Sequence, residues 1–92
     1  NEELLKCGRW WNKNEEIDIV GVAEDFLIVG ECKYTNKKVG IDIFNSLKEK
    51  SKQIELKLPI KKFMIFSKSG FTDELIKISL EDRSIKLVEN IL

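Results

Sequence analysis

A chain of 92 residues fits one small domain with a single core. Its 16 Lys plus Arg balance its 16 Asp plus Glu, which argues against nucleic-acid binding through bulk charge, because each neutralised phosphate needs a basic group. The complete absence of His removes Ser-His-Asp and Cys-His catalytic sets.

Residues 1–7 read as the last turns of a helix, with Leu4 and Leu5 inward and Gly8 ending it. Arg9-Trp10-Trp11 reads as a short strand or edge segment whose tryptophans cover the core rather than stack on bases. A polar turn over 12–15 follows. Residues 16–22 and 26–33 are apolar, β-branched runs separated by Ala23-Glu24-Asp25, close enough to pair as a hairpin. In the first run Asp18, Val20 and Val22 share one face, and Ile17, Ile19 and Gly21 the other. In the second, Glu31 and Lys33 point opposite to Cys32. Antiparallel pairing about the turn then gathers Asp18, Glu31 and Lys33 at one edge of the sheet.

Ile43, Phe44, Leu47 and Ile54 recur at helical spacing and predict an amphipathic helix over 41–54, with Lys48, Glu49, Lys50 and Lys52 on its outer side. With Lys37 and Lys38 of the preceding loop, these lysines form either a basic surface for phosphates or an ordinary solvated face. Leu58-Pro59 ends any helical continuation. The apolar run Phe63-Met64-Ile65-Phe66 suits a central strand covered on both faces, reached by a crossover and parallel to an earlier strand. Lys68 in the next loop is a phosphate contact or a plain surface lysine. Thr72 is a good N-cap, with Asp73 and Glu74 where the helix dipole favours acids, and Leu75, Ile76 and Leu80 inward. After a turn at 81–84, Ile85 and Leu87 share one face of a half-covered final strand. This order predicts an α/β domain, a mixed sheet flanked by helices.

The charged groups at the hairpin carry the chemical signal. Asp18 and Glu31 are hard oxygen ligands of the kind that Mg2+ or Mn2+ takes. Such an ion polarises a phosphate and lowers the pKa of a bound water, and Lys33 would orient that water or neutralise charge on the phosphoryl oxygens. Between two carboxylates the electrostatic role suits this lysine best. The plainer alternative is an ion-paired patch that keeps a sheet edge from pairing.

Asp18 followed by Glu31-Cys32-Lys33 after a hydrophobic strand resembles the signature of the PD-(D/E)xK nucleases, with the restriction-endonuclease-like fold shared by archaeal Holliday-junction resolvases. More narrowly, Gly8-Arg9-Trp10-Trp11, Glu16-Ile17-Asp18-Ile19-Val20, Gly30-Glu31-Cys32-Lys33-Tyr34 and Phe66-Ser67-Lys68-Ser69-Gly70-Phe71 resemble the nuclease-like domain at the C-terminus of a family of archaeal and bacterial P-loop ATPases. The resemblance implies a metal-dependent endonuclease, or a non-catalytic module that binds DNA or protein through the same fold. It implies Asp18, Glu31 and the Cys32 carbonyl as metal ligands and Lys33 as the catalytic lysine; the candidate phosphate contacts Lys37, Lys38, Lys48 and Lys68 come from the loops and helix face read above. Ile17 stands where the superfamily has proline. A Glu ahead of the first strand assists related resolvases; Glu2 and Glu3 are the nearest counterparts here. In some relatives the helix after the motif adds a polar residue, for which Asn45 and Lys48 stand ready. The expected partners are DNA and an ATPase portion of the same chain, and a homodimer is an assembly the resemblance allows.

No apolar run nears the roughly 20 residues that cross a bilayer, and no signal peptide is evident, so no membrane association is expected. Cys7 and Cys32 form neither a disulfide framework nor a zinc motif. A reducing, cytoplasmic setting follows as the expectation. The ends at Asn1 and Leu92 read as those of a fragment from a longer protein.

Overall fold

The computed structural model describes residues 6–11, 16–54 and 58–89. Their order is β1 (Lys6–Trp11), β2 (Glu16–Val22), β3 (Leu27–Lys33), α1 (Ile41–Ser51), β4 (Ile60–Ser67), α2 (Asp73–Glu81) and β5 (Ile85–Glu89). The result is a small α/β domain, a mixed five-stranded sheet in the order β1-β2-β3-β4-β5 with two helices.

The first three strands form an antiparallel meander, whereas β3, β4 and β5 run parallel. Ala23 closes the β2–β3 turn by donating its N–H to the Phe26 carbonyl at 2.9 Å. At the start of the chain, Lys6 and Cys7 belong to β1, and Gly8 lies within that strand opposite Val20 rather than ending a helix. Pairing with β2 here overrides the local helical reading. The expected polar turn at 12–15 and the inward Leu4 and Leu5 lie outside the described residues.

Both crossovers, β3-α1-β4 and β4-α2-β5, step in the same direction across the sheet. With the right-handed connections that parallel strands favour, both helices belong on the same face. One core cluster accordingly joins Phe44 and Leu47 of α1 and Leu75 of α2 to Ile17, Val29, Ile65 and Ile85 of the sheet. Phe44 meets Phe63 edge-on, with ring centroids 5.6 Å apart. The expectation that β4 is covered on both faces is corrected: Ile65 is buried, but Met64 and Phe66 on the other face are only partly buried and lie outside this cluster.

α1 ends at Ser51 instead of 54. The amides of Lys52, Gln53 and Ile54 donate three residues back, to the carbonyls of Glu49, Lys50 and Ser51, tightening the chain into a turn. α2 begins as its sequence dictates, with the Leu75 amide donating to Thr72 Oγ1 at 3.3 Å. Its inward side differs from expectation. Leu75 is fully buried and Ile78 packs beside it, while Ile76 faces outward and Leu80 is 82% exposed. So short a helix reaches the core along one line of contact, and residues 75 and 78 occupy it.

Candidate functional site

Register explains how the site forms. Gly8 pairs with Val20 but Trp10 pairs with Ile17, so β2 holds one residue more than β1 between these pairs. This is a bulge at residues 18–19. Strict alternation predicted opposite faces for Ile17 and Val20; the bulge lets both pack on the helix-covered core. The β2–β3 ladder also stops at the Ile19–Gly30 pair. Beyond that point Asp18 Oδ2 accepts the Cys32 N–H at 3.0 Å, so a side chain takes over from the ladder.

Glu31 lies on β3 among core residues and is only 8% exposed. A carboxylate so deep needs compensating charge. Lys33 Nζ stands 3.5 Å from Oε2, and Lys50 Nζ 3.2 Å from Oε1. Lys50 also donates to the Glu16 carbonyl at 2.8 Å, which ties α1 to the start of β2. Glu16 itself turns outward, its carboxylate 3.6 Å from Arg9 Nη1, as a solvated group would.

Glu31 and Lys33 pair on β3 and Asp18 reaches the same strand through the Cys32 amide, but not at a sheet edge. β2 and β3 are inner strands of the sheet, so the edge-protection alternative loses its premise. Cys32 reports the local field: desolvation first, then the charges of Asp18 and Glu31, push its thiol above the usual range, with Arg9 opposing. Both carboxylates thus act on one side chain. Among the described residues no group of three His, Cys, Asp or Glu side chains is arranged to hold a metal.

The lysines expected at phosphate separate into two pairs. Lys37 and Lys38 line a cavity beside Lys33. Lys48 instead lies over the Phe44 ring, 5.6 Å from its centroid, and Lys68 lies 5.1 Å over Tyr34 while donating to Asn36 Oδ1. Asn45 is exposed on α1, and it is Lys50 that reaches the site. The expectation that Lys50 belongs to the outer face is thereby corrected. At about 100° per residue, position 50 falls roughly 60° from Leu47, as close to the inward direction as Phe44 on the other side. The periodicity held that signal; a lysine's usual solvation masked it. Glu2, Glu3 and Glu15 lie outside the described residues.

The family model DUF234, described as archaeal and bacterial proteins of unknown function, matches residues 1–54. That span holds Asp18, Glu31, Lys33 and Lys50. No curated protein and no solved structure is significantly similar. Among the described residues no helix is long and apolar enough to cross a membrane.

Proposed function

The chain belongs to this DUF234 family, and we propose that it is a metal-dependent phosphodiesterase acting on DNA, with a restriction-endonuclease-like fold. The observation that carries the reading is the pairing of nearly buried Glu31 with Lys33 on β3, with the Asp18 carboxylate bound to the Cys32 amide between them where β2 and β3 part. The mixed sheet, an antiparallel meander continued by parallel strands, is consistent with that topology.

The donors fit Mg2+ or Mn2+ in kind, since all are hard oxygens: the carboxylates of Asp18 and Glu31 and the Cys32 carbonyl. Bound there, the ion would polarise the phosphodiester and supply an activated water. Lys33, restrained by Glu31, places its ammonium where charge develops on the phosphoryl oxygens. Lys50 holds Glu31 against β3 from the helix side. The Cys32 amide fixes the Asp18 carboxylate. A P-loop ATPase portion in the same chain and a cytoplasmic setting belong to this reading, as does the option of a homodimer.

One observation favours a non-catalytic module with the same fold. Each Glu31 oxygen already has an ammonium partner, so a cation must compete with Lys33 and Lys50. Incubating the full-length protein with plasmid and branched DNA in Mg2+ or Mn2+ separates the two. Cleavage by the intact protein that disappears in Asp18→Asn and Lys33→Ala is the expected result. DNA or protein binding without cleavage, unchanged in both variants, would sink the hydrolytic reading.

A further inference from the structure

Just past Lys33 the surface opens into a cavity of about 410 Å3, whose lining includes Lys33, Lys37, Lys38, Gly40, Asp42 and Thr72. That size falls within the roughly 300–1,000 Å3 of small-molecule pockets. The lining holds three lysines, of which Lys33 is paired with Glu31, and one carboxylate, Asp42, so it is net basic in a chain with no net charge. Its wall is held by main-chain bonds: Val39 donates to the Gly70 carbonyl at 2.9 Å and Thr72 to the Val39 carbonyl at 3.0 Å. Thr35 Oγ1 accepts the Lys37 N–H at 3.4 Å, restraining the loop that carries both lysines. α1 starts at the rim, and its N-cap, Gly40, makes no side-chain capping bond.

We infer that this cavity is a phosphate subsite of the nucleic-acid strand, next to the phosphate at Asp18 and Glu31. Lys37 and Lys38 neutralise the group it holds, and Lys33 stands between the two positions. The inference rests on the nucleic-acid reading above and deepens it: the chain grips its substrate at one built place, not over a diffuse basic surface. Lys48 and Lys68 are outside it because aromatic rings hold their ammonium groups elsewhere. The phosphate is either an internal diester or a strand end.

The test is binding without chemistry. Fluorescence anisotropy of the full-length protein with a short single-stranded DNA, with and without a 5′-phosphate, is followed over a salt series in EDTA. Loss of two phosphate contacts in the Lys37→Ala/Lys38→Ala variant lowers the slope of log K against log salt by about 1.4, at about 0.7 per contact for single strands. Lys48→Ala and Lys68→Ala leave the slope unchanged. A loss confined to the phosphorylated strand assigns the cavity to a strand end, and an equal loss on both strands to an internal diester. No binding by the intact protein, an unchanged slope in the double variant, or equal losses in the two controls overturns the inference. Because no bond is cut here, the slope change with no cleavage in Mg2+ would leave the subsite standing and remove only the hydrolytic reading. Cleavage with an unchanged slope would do the reverse.

Discussion

Asp18 and Glu31 carry the same functional group on neighbouring strands, yet the fold treats them differently. Glu31 sits in a regular stretch of β3, nearly sealed off, with an ammonium group at each oxygen. Asp18 sits on a bulge, half-buried, and its partner is a main-chain amide. The difference teaches that one carboxylate is held by charge and the other by backbone geometry. Replacing each should therefore damage different properties.

Glu31→Ala tests the charge-held side and has the largest expected effect. It leaves Lys50, whose side chain is 18% exposed, without its counter-charge. Breaking a buried pair costs about 3–5 kcal/mol, and some water access at Lys33 reduces this to roughly 2–4 kcal/mol in urea unfolding. Cleavage should vanish as well.

Lys50→Ala comes next, at roughly 1–3 kcal/mol, because Lys33 still neutralises part of the Glu31 charge. The double variant Glu31→Ala/Lys50→Ala should cost less than the sum of the single changes, since neither leaves a stranded charge in the other's absence. Strict additivity would mean that the two groups do not interact in solution.

Asp18→Asn should change stability least, within about 1 kcal/mol, since the new side-chain carbonyl can still accept the Cys32 N–H. It removes one negative charge from the field at Cys32. The thiol, raised in the fold, then titrates lower, so iodoacetamide should label Cys32 faster in mildly alkaline buffer than in the intact protein. The sign for stability follows from the same direction. A raised thiol favours the fold below the unfolded thiol's pKa, and that contribution is lost as pH rises through the folded value. In Asp18→Asn the loss should be smaller. Equal labelling rates would place Asp18 away from Cys32 and remove the geometry on which the site depends.

Much of this was legible in residue order. The two β-branched runs about Ala23-Glu24-Asp25 gave a hairpin and Thr72 capped α2, because each feature acts over a few residues. Leu80 was misplaced because helical spacing identifies an apolar stripe without saying how much of a short helix touches the core. Lys50 was misplaced because lysine is rarely buried, and only a buried acid on another element makes its inward turn favourable.

The sequence by itself determined which chemistry the chain can hold: two carboxylates, a lysine two residues after the second, and no imidazole to replace any of them. Tertiary structure decided where that chemistry sits. The bulge at residues 18–19, the common face of both helices and the pairing of Glu31 with Lys50 all depend on contacts between segments distant along the chain. Local pattern cannot encode such contacts, because their free energy appears only when the strands are in register and the helix has docked.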